Sequence, residues 1–418
     1  MSTVVLVAGF GIALFAAFCL TPLIARLARY NKWVDLPGGE RTVHKKPTPR
    51  AGGIAVIITF LLGAGFMLLM GPGFDLPLGA TTHLLSWAMI LGAAAIALTG
   101  LYDDAYGLGF KKKFLFQLLV AYGMYLAGYR IHVPEIYFLE ADPYMQAGLG
   151  LPLTLLWYIG IMNAVNLIDG LDGLAAGIST ISFGCLAIIF GLQGQQFLIP
   201  IAIVMAGALI GFLFYNFNPA SIFLGDTGSL FLGFVIATYA LQGTVHPQPF
   251  VALVIMALAV GYPLLDTTLA FVRRFLKGHS PFAPDKDHIH HRMTGRFKFS
   301  TRKTVLSLYL IHGMLCAAAI TLSLVATTYS LLIITAVVAG ICLFLKGLGY
   351  LKLQRGMVLI RRRISDQIGE RVPRGQWSGD GSVRTILEPT LMEPIATTTK
   401  NIRPEKEEER EFVVHSLE

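Results

Sequence analysis

The sequence predicts an all-α polytopic membrane protein, and three observations carry that prediction. Of its 418 residues, 55% are hydrophobic and only 14% are charged, whereas soluble domains average about 25% charged residues. The mean hydropathy is strongly positive, at +0.64. Apolar runs of about 20 residues, the length that spans a bilayer, recur along the chain. Lipid therefore surrounds most of the predicted fold.

About eleven apolar segments are candidate transmembrane helices. In chain order they cover residues 3–25, 51–70, 84–102, 114–130, 149–168, 173–192, 197–216, 227–243, 250–272, 304–326 and 328–349. The four cysteines all lie in apolar runs without metal or disulfide spacing, which is typical of small buried residues.

Lysine and arginine alternate between the connecting segments and set the predicted orientation. They are concentrated in residues 26–50, 103–113 and 273–303, whereas residues 71–83 and 193–196 contain none. The positive-inside rule then places the N-terminus outside and the C-terminus in the cytoplasm. The net charge of +8 follows from this topology and from contact with anionic lipid heads, so no nucleic-acid partner is needed to explain it.

The chain changes character after the last apolar segment. Residues 1–350 form the predicted transmembrane domain, whereas residues 351–418 are polar, include Arg361–Arg363 and contain the charged run "RPEKEEEREF" near their end. This composition predicts a cytoplasmic, largely disordered tail.

Polar side chains from four separate segments meet the predicted cytoplasmic face. The motifs are "GLYDDAYGL" with Asp103 and Asp104, "NAVNLIDGLDGLAAG" with Asn163, Asn166, Asp169 and Asp172, "NPASIFLGDTGS" with Asp226, and "DKDHIHHRM" with His288, His290, His291 and Arg292. Ionisable groups at membrane depth are costly and mark functional sites. We therefore predict an active-site cleft at the cytoplasmic face.

Carboxylates, histidines and arginine at a lipid surface indicate phosphoryl transfer. Carboxylate oxygens bind Mg²⁺ together with substrate phosphates, and such a cation neutralises the charge that develops at phosphorus. Arginine suits bidentate contacts to phosphate. The residues thus predict a reaction on a lipid phosphate, without specifying the sugar.

The four motifs, in this order, resemble the polyprenyl-phosphate N-acetylhexosamine-1-phosphate transferases over about residues 1–350. The resemblance implies a multi-pass enzyme of the bacterial inner membrane. Its expected reaction moves a phospho-sugar from a UDP-sugar to undecaprenyl phosphate, releases UMP and requires Mg²⁺ or Mn²⁺. The sequence departs from some members at Gly107, where they have an acidic residue.

Two branches of this family differ in their donor. The forms "HKKPTPRAGG" and "HIHHR" resemble the branch that uses UDP-GlcNAc and initiates O-antigen (lipopolysaccharide), enterobacterial common antigen or teichoic acid synthesis. The alternative branch uses UDP-MurNAc-pentapeptide in peptidoglycan synthesis and favours an "HHH" run.

The resemblance assigns catalysis to Asp103, Asp104 and Asp226, and metal binding to Asp226, Asp104 and Asp169. Asp103 is the expected base, with Asp104 near the metal. For Asp226 the sequence also allows an N-cap of the eighth helix.

Further residues are expected to bind substrate. Asn166, Asp169 and Asp172 would bind the nucleotide and the metal-bound diphosphate, although a turn residue is a serious alternative for Asp172 and an interhelical hydrogen bond for Asn166. A diphosphate clamp by His288, His290, His291 and Arg292 competes with a solvated basic loop. The remaining candidates are Lys45, Lys46, Arg50, Lys111 and Lys113, which could equally be topology signals or lipid-headgroup contacts, and Phe223, which could stack on uracil or mark the membrane interface.

A transporter of an anionic solute with a proton relay is the alternative from another class. Transporters place ionisable groups near the bilayer midplane and often consist of repeated halves. The acids here gather at one face, and this favours an enzyme. Whether the chain forms a homodimer is left open.

Overall fold

The structure is a computed structural model of the chain. It describes residues 2–36, 47–70, 80–131, 143–243, 249–278, 287–295, 297–350, 376–377 and 383–384.

Helices dominate the described residues. They are α1 (Thr3–Tyr30), α2 (Gly52–Met70), α3 (Ala80–Tyr106), α4 (Phe110–Leu126), α5 (Pro143–Ile168), α6 (Leu174–Leu192), α7 (Ile199–Asn216), α8 (Gly225–Gly243), α9 (Pro249–Ala259), α10 (Gly261–Leu276), α11 (Ile289–Gly295), α12 (Thr301–Leu324) and α13 (Thr327–Gly347). Two short antiparallel pairs accompany them. They are β1 (Val34–Asp35) with β2 (Thr48–Pro49), and β3 (Gln376–Trp377) with β4 (Val383–Arg384).

Each of the predicted spans overlaps a helix or a pair of helices. Within the described ranges, seven helices are long and apolar enough to cross a membrane, and a bent pair raises the number to eight. The prediction of an all-α, multi-pass membrane protein is confirmed. The number eleven and the inside–outside orientation stay predictions.

The predicted span 250–272 is not one straight helix. It consists of α9 and α10, which meet at an angle of 95° across Val260, whose φ of −109° is not helical. Pro263 provides the physical reason, because a proline ring clashes with the carbonyl four residues earlier and removes a backbone donor. That carbonyl belongs to Ala259, the last residue of α9.

Buried side chains of α5, α6, α7 and α8 form the centre of the core. In α8, buried residues run almost continuously from Thr227 to Ala240, so other helices surround it. Small residues allow the closest approach near its N-terminus. A methyl group on Gly53 would lie 2.2 Å from the Gly228 nitrogen, and one on Gly100 would lie 2.5 Å from the Asp226 carbonyl oxygen. Such contacts are typical of membrane helix packing, and they bring α2 and α3 against the start of α8.

The chain divides into two units, Met1–Leu351 and Lys352–Glu418. In the second unit the structure describes only β3 and β4. The predicted disordered tail otherwise lies outside the described residues.

Candidate active site

Two acids and a lysine from three helices meet at one end of the bundle. Lys113 Nζ of α4 lies 2.8 Å from Asp103 Oδ2 of α3 and 2.7 Å from Asp226 Oδ2 of α8. Asn166 Nδ2 of α5 also donates to Asp226. We call Asp103, Lys113, Asn166 and Asp226 the acid–lysine cluster. The side chain of Asp226 keeps 32% exposure, against 10% for Asp103 and 14% for Lys113, so a ligand can reach it.

Asp104 binds the N-terminus of α8. Its Oδ1 accepts from the Asp226 N–H at 2.9 Å, and its Oδ2 accepts from the Thr227 N–H at 2.8 Å and the Thr227 hydroxyl at 2.7 Å. The first N–H groups of a helix lack partners within the helix and attract negative charge. Asp104 therefore performs the capping function that the sequence left open for Asp226. Asp226 lies in the first turn, and its side chain is directed to Lys113 and Asn166.

Asn163 and Asn166 have different partners although both belong to the same motif. Asn166 Nδ2 donates to Asp226 and, at 2.8 Å, to Ser229 Oγ. Asn163 Nδ2 instead donates to Gln117 Oε1 at 2.7 Å. Only Asn166 belongs to the acid–lysine cluster, whereas Asn163 joins α5 to α4.

Asp169 brings a third carboxylate to the same place. It directly follows α5, is half-buried and accepts a hydrogen bond from the Gly225 N–H. Burial raises the pKa of Asp169 well above its usual range, and the negative charges of Asp226 and Asp104 raise it further. A bound cation would relieve this cost, so Asp169 fits a site for a positively charged ligand.

Asp172 orders the loop that leads to α8. Its Oδ2 accepts from Asn218 Nδ2 at 2.9 Å and from the Ala220 N–H at 3.0 Å. In the same loop, the half-buried Phe223 donates its N–H to the Pro49 carbonyl at 2.8 Å. These contacts match the turn interpretation of Asp172, and the substrate contacts of Asp172 and Phe223 stay predictions.

The histidine segment, defined here as residues 287–295, contains α11. Asp266 of α10 accepts from His288 Nδ1 and from the Ile289 N–H, both at 2.7 Å. His290 is buried, and burial lowers its pKa to about 4. A methyl group placed on Gly170 would lie 3.5 Å from His290 Nε2, so this ring faces the loop that follows Asp169. His291 is exposed.

The predicted basic residues divide into engaged and exposed groups. The Arg292 guanidinium binds both carboxylate oxygens of Asp287 and lies 3.7 Å from the centre of the Tyr350 ring. Arg50 pairs with Asp35 at 2.9 Å and is half exposed. Lys111 is exposed. Lys45 and Lys46 lie outside the described residues. Lys113 is thus the predicted lysine that the structure brings to the acids.

The sequence patterns did not predict a role for Asp266, Gln117 or Thr227. Asp266 offered a signal, because it is an isolated acid inside an apolar run, and such residues mark functional or structural sites. Gln117 and Thr227 offered none, because uncharged polar residues are common at helix ends.

The donor atoms fit a divalent cation chemically. Asp103, Asp169 and Asp226 supply hard carboxylate oxygens, which Mg²⁺ and Mn²⁺ prefer. Within the described part of the chain, no three histidine, cysteine or acidic side chains already surround a common metal position. Lys113 supplies positive charge between two of the acids, and Asp104 already accepts three hydrogen bonds from the start of α8.

Comparison with known proteins identifies relatives of this chain. Residues 86–244 match the family model "Glycosyl transferase family 4", a range that contains every residue of the acid–lysine cluster. The chain is 39% identical to the probable undecaprenyl-phosphate N-acetylglucosaminyl 1-phosphate transferase of Bacillus subtilis (strain 168), over 79% of this chain and 88% of the relative. It is 36% identical to the decaprenyl-phosphate N-acetylglucosaminephosphotransferase of Mycobacterium tuberculosis (strain H37Rv), over 67% and 73%. It is 28% identical to the phospho-N-acetylmuramoyl-pentapeptide-transferase of Staphylococcus carnosus (strain TM300), over 75% and 97%.

Proposed function

Because this chain belongs to glycosyl transferase family 4, we propose that it transfers N-acetylglucosamine 1-phosphate from UDP-GlcNAc to undecaprenyl phosphate. The products are UMP and undecaprenyl-diphosphate-GlcNAc, which initiates a cell-surface glycan. The meeting of Asp103, Lys113 and Asp226 from three helices carries this proposal. A cluster of charges at a helix N-terminus, with one acid open to solvent, suits a bound diphosphate and its counter-ion.

The reaction needs little proton transfer from the protein. A phosphate monoester has a second pKa of about 6, so the lipid phosphate is already nucleophilic near neutral pH. Its oxygen attacks the β-phosphorus, which bears the sugar, and the bond to the UMP oxygen breaks. Asp103 then serves chiefly to orient Lys113 and the acceptor, and Lys113 provides a cation for the phosphates.

Mg²⁺ or Mn²⁺ is part of the proposal. Asp226 and Asp169 would hold it, and Asp103 lies on the other side of Lys113. The bound cation would neutralise the donor diphosphate and stabilise the departing UMP. Asp104, which was expected near the metal, holds the backbone of Asp226 in place through the start of α8.

The histidine segment would complete the donor site. His290 faces Gly170 and stays neutral at physiological pH, so it can donate one hydrogen bond to a phosphate oxygen. His291 and Lys111 are exposed and would make further phosphate or headgroup contacts.

Donor choice and location also belong to the proposal. Identity to the Bacillus relative named for GlcNAc transfer is 39%, against 28% to the Staphylococcus relative named for MurNAc-pentapeptide transfer, which favours UDP-GlcNAc. The relatives are bacterial, which supports a bacterial inner membrane, and the distribution of lysine and arginine supports the cytoplasmic face for the acid–lysine cluster.

The test is UMP release by the purified protein with undecaprenyl phosphate and Mg²⁺. We expect release with UDP-GlcNAc, none without the lipid, and loss of release when a chelator is added. Release with UDP-MurNAc-pentapeptide alone would assign the chain to the other branch. Folded protein that released UMP from neither donor would contradict the proposal, and activity that survives the chelator would contradict the cation.

A further inference from the structure

We propose that Asp266 is the positioning residue of the histidine segment and that it acts by fixing His288 and the first turn of α11. This inference rests on the proposed function, in which the histidine segment binds the donor diphosphate. Asp266 was not among the candidates from the sequence, and its hydrogen bonds to His288 and Ile289 lie outside the acid–lysine cluster.

The contacts of Asp266 leave little freedom to its partners. Asp266 is 1% exposed and His288 is 5% exposed, so their interaction is shielded from water. An ionised carboxylate can only accept hydrogen bonds. Ile289 donates its backbone N–H to Oδ1, and we assign the proton between the two side chains to His288 Nδ1, which lies 2.7 Å from Oδ2. A buried charge without such partners would be costly, which makes this arrangement specific.

The break between α9 and α10 supports this position. The helices meet at 95°, and Asp266 lies about one and a half turns after the start of α10. α10 thus runs in a different direction from α9, and its Asp266 bonds to His288 and to the first residue of α11.

The effect of Asp266 extends to His290 through ring contacts. The rings of His288 and His290 are nearly parallel, with centroids 5.7 Å apart, and those of His290 and His291 are 4.3 Å apart. His290 in turn faces Gly170 beside the acids. Fixing His288 therefore fixes the ring that faces the candidate active site.

Asp266→Asn is the discriminating substitution because it keeps the size and changes the donors. Asparagine has one oxygen, which the Ile289 N–H requires, so its NH₂ group must face His288 Nδ1. The His288 proton should then move to Nε2. We expect ¹⁵N spectra of histidine-labelled protein to show one histidine changing from Nδ1–H to Nε2–H. We expect kcat for UMP release to fall by about 10- to 100-fold, as when a buried partner of a functional histidine is lost.

Tyr262→Phe is the matched control, since it removes a buried hydroxyl from α10. The Tyr262 hydroxyl has no hydrogen-bond partner among the described residues, so this variant should keep both the spectrum and kcat. An Asp266→Asn protein with the wild-type spectrum and kcat would overturn the proposal. The spectrum needs no substrate, so an inactive wild-type protein would reject the proposed function while this test still stands.

A second pair of variants applies if Asp266→Asn does not fold. His288→Asn keeps an N–H donor near the position of Nδ1, whereas His288→Leu removes it. Because a hydrogen bond to a charged group is among the stronger ones, we expect UDP-GlcNAc to bind about tenfold more weakly to the Leu variant than to the Asn variant. Equal binding by the two would contradict a positioning function of Asp266.

Discussion

The bundle contains two polar clusters that differ in charge and access. The acid–lysine cluster lies at the helix ends, has more carboxylates than cations and leaves Asp226 partly exposed. The second, which we call the inner cluster, consists of Ser182, His312 and Cys316 and is buried. There His312 Nε2 pairs with Ser182 Oγ at 2.9 Å, and His312 Nδ1 accepts from the Tyr262 N–H at 3.3 Å.

The difference in charge and access distinguishes a cluster that suits ligand binding from one that stabilises the fold. The inner cluster is neutral, and it satisfies an N–H that the break before α10 leaves without a helical partner. The acid–lysine cluster instead holds charged groups that are largely buried, which is costly, and it leaves Asp226 partly exposed. Polar residues of the inner cluster thus stabilise the fold because their hydrogen bonds are made within it. Those of the acid–lysine cluster suit ligand binding because Asp226 stays accessible to solvent.

Asp226→Asn should have the largest effect, because it removes the exposed charge of the acid–lysine cluster. We expect UMP release to fall by about 1000-fold, about 4 kcal/mol of transition-state stabilisation, as for other electrostatic groups aimed at developing charge. The measurement is steady-state UMP release, with the unfolding midpoint as the control for folding. Asp226→Glu should retain more activity than Asn, and equal activity of Asn and wild type would refute the assignment.

His290 combines features of the two clusters, because it is buried like the inner cluster but faces the loop beside the acid–lysine cluster. The folded protein keeps His290 neutral down to about pH 4, whereas the unfolded chain binds a proton below about 6.5. The contribution of neutral, buried His290 to the free energy of unfolding is therefore complete above pH 6.5. It is lost as the pH falls towards 4, by about 3 kcal/mol in total. Unfolding midpoints between pH 7 and 4 should fall less steeply for His290→Asn than for wild type. The exposed His291→Asn should follow wild type, and parallel profiles for all three would contradict the expectation.

His312→Leu should affect stability without affecting chemistry. It leaves the Tyr262 N–H and the Ser182 hydroxyl without their partner, at a cost of about 2 kcal/mol. Unfolding in detergent measures this loss of stability. UMP release per folded molecule should stay within about twofold of wild type, because the substitution should leave the activation free energy almost unchanged and a change of 1.36 kcal/mol would alter the rate tenfold. Ser182→Ala should cost less because it leaves Tyr262 paired. A stable but inactive His312→Leu protein would remove the distinction between the two clusters.

Lys113→Met should have the smallest effect, and it should act on cation affinity. Without the ammonium group, Asp103 and Asp226 repel each other, and a divalent cation relieves that repulsion. We expect Mn²⁺, followed by electron paramagnetic resonance, to bind about tenfold more tightly, which corresponds to about 1.4 kcal/mol. Lys112→Met removes an exposed neighbour and should not change Mn²⁺ binding. Equal or weaker binding by the Lys113 variant would contradict the expectation that Lys113 competes with the divalent cation for Asp226.

The sequence predicted much of the fold because hydrophobic length is a local property. Each predicted span overlaps a helix, and the one that differs, 250–272, contains the proline that breaks it. A proline in an apolar run does not by itself announce a sharp bend, since neighbouring helices often compensate for it. In this bundle α12 supplies His312, which accepts from the buried Tyr262 N–H that the break leaves without a helical partner.

The acids of the site were also selected from the sequence, but their partners were not. Asp104 and the N–H of Asp226 are 122 residues apart, and Lys113 and Asp226 are 113 residues apart. Lys113 was indistinguishable from Lys111 in the sequence, because both indicate the same side of the membrane. The turn of α4 that faces α3 and α8 decides which lysine meets the acids.

The sequence by itself determined which segments are apolar enough to enter lipid and which acids and histidines lie at their ends. These properties depend on composition along the chain and on the cost of exposing charge to hydrocarbon. Only the tertiary structure decided that Asp104 caps α8, that Lys113 lies between Asp103 and Asp226, and that Asp266 holds His288. Hydrogen bonds act over about 3 Å, so they are set by how distant helices pack.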